Sequence, residues 1–367
     1  MKKLSLPISL SFIFVIMAVS CSHDGFKGRN QWDGLYTHDT IDVGARQELE
    51  IGNHLIDSIS YLVLEYLDDY PVGGINRLLF MDDYIVVVDK RGANAVYLFD
   101  YKGKFHRQIS SQGTGPGEYI DLSNVTLSAD GKQIIIQDRA RRNIMWFDVN
   151  GKLTRTKALP AHSGDIVLLD ENTWVTSLFP SNRNVTKRGK NPFFIVTDSL
   201  WNFNYALDFP KKFHEPFSII PTPLAKTPAG NVNGFITRDR RMYRFTTDSV
   251  YIEYRFLLND GMDGLDWEDA YYPGPALNSR RIFHPVLDCG DYVSFGILEN
   301  NELSYLLYSK KERKTYIMDF YYNNDVMYSF LQQAQFCNSN TIVAPAPANT
   351  FYSLVDMVGR ESSPLFH

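Results

Sequence analysis

The chain has 367 residues, a formal net charge of −5 and an aromatic content of 14%. Its lysines and arginines are scattered along the sequence rather than clustered, which argues against a nucleic-acid-binding surface. Three cysteines are too few for the disulfide framework of a small secreted domain, so the fold must depend on a hydrophobic core.

The N-terminus has the proportions of an export signal. Met1–Lys3 supply positive charge, and an apolar run over Leu4–Val19 follows, which is shorter than the roughly 20 residues of a membrane-spanning helix. Ala18 and Ser20, directly before Cys21, resemble the lipobox read by the bacterial lipoprotein signal peptidase. We therefore predict a signal peptide over residues 1–20, lipidation of Cys21, and a cell-envelope location with the membrane as a partner, on the periplasmic or surface face. A cleaved secretory peptide and an uncleaved anchor are the alternatives.

The next segment is polar and has no sustained periodicity. Residues 21–52 are therefore predicted to be a tether that separates the lipid from a domain over residues 53–367. Tyr61–Leu67 is the first segment expected to be ordered.

Two groups of four short apolar runs follow, with turn residues between the runs. The predicted strands of the first group are Ile75–Met81, Tyr84–Asp89, Ala95–Asp100 and Lys104–Ile109. Those of the second group are Leu122–Ser128, Gln133–Asp138, Asn143–Asp148 and Lys152–Ala158.

The two groups are copies of one repeat. Tyr84–Asp89 matches Gln133–Asp138, and Val96–Lys104 matches Ile144–Lys152. A unit of about 50 residues with four strands is the signature of a β-propeller blade. The predicted class is therefore all-β.

The later predicted strands are less regular but recur at a similar spacing along the chain. They are predicted over 165–169, 173–178, 193–197, 203–209, 234–237, 242–246, 250–257, 292–298, 303–308 and 315–320. Asp260–Ser279 is expected to be a long loop, and Val326–Ala334 a short helix.

The most distinctive segment lies between the two repeats. Its residues are Gly113, Thr114, Gly115, Pro116, Gly117, Glu118 and Tyr119. Glycines at alternate positions permit a tight turn and proline stiffens it, so we predict that this motif crosses from the outer strand of one blade to the inner strand of the next. A phosphate-binding loop is the alternative, but the Lys-Ser/Thr and helix that it requires do not follow.

Together with Phe99–Phe105 and Gln108-Ile109, this motif resembles the signature of six-bladed β-propeller lipoproteins related to NHL-repeat propellers. The resemblance is strong over Ser58–Gly151 and implies a six-bladed propeller of four-stranded blades. Members usually end in Asn-Pro, an apolar strand and basic residues, whereas this chain ends in Ser363–His367. The last blade is therefore expected to close differently.

Ligands of propellers bind where the inner strands and their loops surround the central channel. Candidate residues on these segments are Arg77, Glu118, Asn124, Arg139, Arg141 and Arg142. Glu118 and Asn124 could serve as Ca²⁺ ligands, as Glu, Asn and Asp do in lactonase-type propellers, but no matching residues can be assigned in later blades. The basic cluster over Asp138–Arg142 is better explained as a solvated turn.

Other chemistry has no support in the sequence. The histidines are dispersed without zinc-ligand spacing, and a Gly-x-Ser-x-Gly nucleophile elbow is absent. Cys289 and Cys337 could form one bridge, although two separate buried thiols are favoured.

These observations predict a monomeric binding module for a protein, peptide or glycan, without cofactor or metal. A Ca²⁺-dependent hydrolase or lyase acting on a lactone or saccharide is the alternative. A sensor or assembly factor with a purely structural propeller is a third reading.

Overall fold

A computed structural model describes residues 35–48, 60–160, 163–178, 192–208, 223–227, 229–236, 240–260, 263, 280–300, 302–317, 336–338 and 341–343. The predicted signal peptide, Cys21, the predicted helix over Val326–Ala334 and most of the predicted loop Asp260–Ser279 lie outside these residues. Across the described ranges there is no helix long and apolar enough to cross a membrane.

All regular secondary structure elements in the described residues are strands. In chain order these are β1 Thr37–Asp42, β2 Gln47–Glu48, β3 Arg77–Phe80, β4 Tyr84–Asp89, β5 Ala95–Asp100, β6 Phe105–Gln108, β7 Leu122–Leu127, β8 Ile134–Asp138, β9 Asn143–Phe147, β10 Leu153–Ala158, β11 Ser163–Leu168, β12 Thr173–Leu178, β13 Pro192–Asp198, β14 Phe203–Asp208, β15 Leu224–Lys226, β16 Val232–Ile236, β17 Arg241–Phe245, β18 Val250–Leu257, β19 Arg281–Cys289, β20 Tyr292–Glu299, β21 Glu302–Ser309, β22 Lys314–Ile317, β23 Phe336–Asn338 and β24 Thr341–Val343.

These strands make a β-propeller, so the predicted all-β class is confirmed. Each of five successive sheets is a meander of four antiparallel strands: β3–β6, β7–β10, β11–β14, β15–β18 and β19–β22, called here the first to fifth blades. Apolar side chains fill the space between neighbouring blades, for example Val86 and Ile136 between the first and second. Burial of such a side chain contributes about 1.5–3 kcal/mol, so the interfaces between blades hold the ring together.

The predicted repeat of the first two blades has a local cause. At the turn after the third strand, Oδ1 of Asp100 accepts hydrogen bonds from the backbone amides two and four residues later. Asp148 and Asp198 do the same in the second and third blades. Gly103 and Gly151 occupy the left-handed position of the first two turns, with φ of 81° and 73°. A side-chain acceptor thus defines this turn in all three blades, and a glycine accompanies it in the first two.

Part of the predicted polar tether, residues 37–48, belongs to the propeller. β1 pairs in parallel with β18 and β2 pairs in parallel with β22, so they add a fifth strand to the fourth and fifth blades. Ile41 and Val43 are 0% exposed and pack in the core between these two blades. For these residues the prediction was wrong, because the buried apolar stretch is too short to stand out in the sequence; residues 21–34 and 49–52 of the predicted tether lie outside the described residues. Tyr61–Leu67, expected to be the first ordered segment, forms no strand; it extends along the first blade, where Glu65 N donates to Gly103 O at 2.7 Å.

The blade count also differs from the six that the sequence predicts. The described residues contain five blades, and the next element is a hairpin of only two strands, β23 and β24, called here the closing hairpin. Ile342 packs against the fifth blade and Val343 against the first. The closing hairpin therefore lies between the two ends of the ring.

The sequence misses two inner strands. β15 is only three residues long, too short for a periodic pattern. β19 contains Pro285 and has a register shift between Phe283 and Leu287, so it does not show a strand alternation.

Candidate functional site

The first strands of the blades surround a central cavity of about 520 Å³. The first strand of every blade contributes to its wall, as does the closing hairpin through Cys337. Its lining residues are Asn76, Arg77, Leu78, Leu79, Phe80, Met81, Asp82, Tyr101, Thr126, Leu127, Val167, Leu224, Ala225, Lys226, Thr227, Asn233, Leu287, Asp288 and Cys337.

One end of the cavity is closed by Arg77. Its Nη1 donates to Asn124 Oδ1 at 2.6 Å and to Asp165 Oδ1 at 3.2 Å, and its Nη2 donates to the Leu224 carbonyl oxygen at 3.5 Å. One side chain of the first blade thereby contacts the second, third and fourth blades. The Arg77–Asn124–Asp165 cluster is called here the channel floor.

Asp165 is the part of the channel floor that sequence reasoning missed. It is 1% exposed, and its Oδ2 also accepts from Leu224 N at 3.4 Å. An aspartate inside an otherwise apolar strand was the available signal, because a buried carboxylate requires a cationic or hydrogen-bonding partner.

The end beyond the channel floor is cationic. Lys90 Nζ donates to Ser123 O at 2.6 Å, and burial lowers the pKa of Lys90. The nearby carboxylate of Asp165 opposes this shift, whereas the positive charges of Arg77 and Arg139 add to it. Arg139 itself is half-exposed and forms an ion pair with Asp121 at 2.7 Å; it does not line the cavity. Of the predicted ligand-binding residues, Arg77 and Asn124 are therefore brought together, and Arg139 lies at the neighbouring surface.

The glycine motif lies away from the cavity wall, between β6 and β7, in the crossing position that the sequence predicts. Oε2 of Glu118 accepts from Gly115 N at 2.7 Å, and a Cβ at Gly113 would lie 2.1 Å from that same oxygen. Gly117 has a φ of 79°. The alternate glycines thus give room for a carboxylate that the backbone folds around.

The end of the motif is anchored in the core. Tyr119 is 0% exposed, and its hydroxyl donates to Asn94 O at 2.7 Å. Burial raises the pKa of Tyr119 well above its ordinary value, so it stays a neutral donor. Arg141, in the predicted basic cluster, donates to the carbonyl oxygens of Glu118 and Gly113. These contacts are those of a structural connector.

The opposite end of the cavity is open to solvent and is lined by polar side chains. Asp82, Tyr101 and Lys226 are exposed there, and burial of the ammonium group lowers the pKa of Lys226, with Asp130 and Glu171 opposing.

Behind this rim, Thr227 and Asn233 are 8% and 3% exposed. Thr227 Oγ1 and Asn233 Oδ1 have no hydrogen-bond partner among the described residues. A buried polar atom without a partner costs about 1–3 kcal/mol.

A buried ion network supports the wall next to Asn233. Arg244 Nη2 donates to Asp288 Oδ2 at 2.6 Å and lies 3.3 Å from Glu253 Oε1. Lys310 Nζ contacts the other oxygen of Asp288. Two cations and two carboxylates balance each other, so this network joins the fourth and fifth blades without leaving a charge for a ligand.

The two residues predicted as Ca²⁺ ligands do not form a site. Asn124 Oδ1 is occupied by the guanidinium of Arg77, and Glu118 accepts from the backbone of its own turn. In the described part of the chain, no group of three or more His, Cys, Asp or Glu side chains is placed to hold a metal ion. The residues present therefore do not fit the calcium centre of the alternative hypothesis.

Comparison with solved structures supports the fold. A Bacteroides fragilis protein named "Putative exported protein" matches with a TM-score of 0.68 and 19% identity, covering 89% of this chain and 92% of that one. A member of the duf4221 family from Bacteroides vulgatus matches with a TM-score of 0.42 and 9% identity over 64% of this chain and 78% of that one. An inactive variant of virginiamycin B lyase from Staphylococcus aureus, with quinupristin, gives 0.37 and 12% over 67% and 81%. Of these three matches, the first alone has a TM-score above 0.5, and at 19% identity it supports the fold alone.

No curated protein matches the sequence. The family model described as "Domain of unknown function (DUF4934)" matches residues 38–364, which include the closing hairpin and all of β1 except its first residue. The β-propeller described above is therefore the fold of a DUF4934 domain, and the chain belongs to this family.

Proposed function

We propose that this protein is an exported, non-enzymatic propeller that binds a polar ligand, the end of a glycan or peptide chain, in the exposed end of its central cavity. The observation that carries the proposal is a pair of buried atoms, Thr227 Oγ1 and Asn233 Oδ1, that have no hydrogen-bond partner in the described part of the chain and belong to residues that line this cavity. A volume of about 520 Å³ lies within the range of small-ligand pockets, about 300–1,000 Å³, so it admits one or two units of such a chain.

The groups around these atoms favour a ligand with many hydrogen-bonding groups. Asn233 and Thr227 offer an amide and a hydroxyl, Lys226 offers an ammonium group, and Tyr101 contributes an aromatic ring. The carboxylates that oppose the pKa shift of Lys226 limit the attraction for a strongly anionic ligand. The side chain of Arg77 reaches across the ring in the channel floor, and this favours entry of the ligand at the opposite, exposed end.

Binding assays with matched variants test the proposal. Glycan and peptide arrays would identify a binder, and calorimetry would measure its Kd for the wild type, Asn233→Ala and Lys226→Met. We expect Asn233→Ala to weaken binding about tenfold, because a hydrogen bond of about 1–1.5 kcal/mol is lost. Asn150→Ala and Lys152→Met, in an exposed turn of the second blade, are the controls and should leave Kd unchanged. Equal Kd values for all four variants would overturn the proposal.

We propose further that Cys21 is lipidated and anchors the propeller to a membrane of the cell envelope. The charged N-terminus, the apolar run and the lipobox-like residues support this, and the similar Bacteroides fragilis protein is named as exported. Because β1 is part of the fourth blade, only residues 22–34 separate Cys21 from the described chain, a reach of at most about 45 Å. Detergent partitioning of the wild type and of Cys21→Ser tests the anchor: we expect the wild type in the detergent phase and the variant in the aqueous phase.

A further inference from the structure

The fold brings together two cysteines that are distant in sequence. Cys289 is the last residue of β19, and Cys337 lies in β23 of the closing hairpin. They are 1% and 7% exposed and pack in one small apolar cluster with Leu287. The Cys337 thiol donates to the carbonyl oxygen of Asp288, the residue next to Cys289, at 3.2 Å. The sequence favours two separate buried thiols, whereas the structure places them side by side.

The two cysteines lie where the ring of blades closes. The closing hairpin lies between the fifth and first blades, and Ile342 and Val343 pack against one and the other. The N-terminal strands reinforce the fourth and fifth blades rather than this junction. In the described residues, two short strands and a few apolar contacts hold the ends of the ring together.

We propose that Cys289 and Cys337 form a disulfide bond that covalently closes the propeller. This rests on the proposed export, since an oxidising compartment is where such bonds persist. Each thiol loses its hydrogen as the S–S bond forms. The two electrons pass by thiol–disulfide exchange to a disulfide oxidant, which is reduced to two thiols.

The bond forms before the cluster is packed. Two causes raise the pKa of Cys289 far above its ordinary value: a hydrogen bond with Cys337, which is the larger, and burial of the thiol. Because the thiolate is the attacking species, exchange in the folded protein is slow. Oxidation therefore accompanies folding after export, and the finished bond fixes the cavity wall formed by Leu287, Asp288 and Cys337.

Peptide mapping of the full chain tests the bond. Protein isolated from the cell envelope without reductant is denatured, alkylated and digested, and the masses of its peptides are measured by mass spectrometry. We expect the peptides of Cys289 and Cys337 to be linked, with the loss of two hydrogen atoms, and to react with the alkylating reagent only after reduction. Reduction should lower Tm by about 5 °C, since the bond closes a long loop.

Cysteine variants show whether the change of Tm on reduction comes from the disulfide bond itself. The single and double variants Cys289→Ser and Cys337→Ser should have a Tm that does not respond to reductant, unlike the wild type. If a variant does not fold, wild-type protein refolded with oxidised or with reduced glutathione gives the same comparison.

The location and the pairing can fail separately. A bond that forms with oxidised glutathione but is missing from protein taken from cells overturns the proposed export. Two cysteines that are alkylated without reduction in both preparations overturn the pairing itself. Neither outcome depends on whether the cavity binds a glycan or peptide.

Discussion

The first two blades and the fourth and fifth blades are built by different means. In the first two, the turn between the third and fourth strands is defined within a few residues, by an aspartate that accepts two backbone amides and by a glycine with positive φ. In the fourth and fifth blades, β1 and β2 of the N-terminal segment each add one further strand at the outer edge. The buried network around Arg244 and Asp288 joins these two blades. Local interactions specify one pair of blades, and contacts between distant residues specify the other.

This difference predicts where the fold is most sensitive. A turn in the first two blades can be weakened without separating one blade from the next, because the apolar core between them is unchanged. The fourth and fifth blades share Ile41, Val43 and the ion network, so one substitution affects two sheets. We therefore expect larger losses of stability in the second pair.

The largest expected effect is at Arg244. In Arg244→Met, the carboxylates of Asp288 and Glu253 lose a cation that is within 2.6 and 3.3 Å of their oxygens. Removing one member of a buried ionic network typically costs about 3–5 kcal/mol, so we expect a loss of about 4 kcal/mol in the free energy of unfolding, measured with urea.

Arg107→Met is the matched control in the first two blades. Arg107 also joins neighbouring blades, but through one exposed hydrogen bond to Asn150 O. We expect a loss of about 1 kcal/mol or less. Similar losses for the two variants would contradict the proposed contrast between the two pairs of blades.

The same contrast explains how much of the fold the sequence predicts. The strands of the first two blades are predicted almost residue by residue, because Asp100, Gly103 and their counterparts repeat in the sequence. β15 and β19 are missed, since one is three residues long and the other has a register break at a proline. Pairing of β1 with β18 has no local signal, so the N-terminal segment is misread as a tether.

For the candidate site, the sequence predicts single residues but not their arrangement. Arg77 and Asn124 are identified from the expected position of the channel, and they do meet there. Asp165, Thr227 and Asn233 belong to later blades in which the repeat has become irregular. Their proximity depends on closure of the ring, which links residues far apart in the chain.

The second largest expected loss of stability is in β1, the N-terminal strand. Ile41→Ala removes a side chain that is 0% exposed and lies between the fourth and fifth blades. Such truncations cost about 2–5 kcal/mol, and we expect about 3 kcal/mol by urea unfolding. Val63→Ala, at a side chain that is 81% exposed in the segment beside the first blade, should change stability by less than about 0.5 kcal/mol. A tether-like N-terminus would instead make both changes neutral.

The third largest expected effect is a difference in stability between alanine substitutions at equivalent glycines of the first two blades, Gly103 and Gly151. Both have positive φ, so alanine introduces strain of about 1–2 kcal/mol at either position. At Gly103 the new Cβ would also lie 1.9 Å from the Val63 carbonyl oxygen, whereas at Gly151 the nearest atom is 3.8 Å away. We expect Gly103→Ala to cost about 2 kcal/mol more than Gly151→Ala. Equal losses would show that the chain at Val63 moves away freely.

The smallest effect is the pH dependence of one turn. The backbone amide of Lys104, and to a lesser extent that of Lys102, lowers the pKa of Asp100 in the folded protein. The unfolded chain therefore binds a proton more readily, at a pKa of about 3.9. Above that pH the turn contributes its full stabilisation, and the contribution is lost as the pH falls through the lower folded pKa.

Asp100→Asn isolates this contribution, because an amide oxygen still accepts the two backbone hydrogen bonds but does not titrate. Urea unfolding of the wild type and the variant between pH 7 and pH 3 should show a steeper loss in the wild type below about pH 4. The difference between the two proteins should be nearly constant above pH 5. Parallel pH profiles throughout would show that the carboxylate charge has no part in the turn, and that its hydrogen-bond geometry alone defines the repeat.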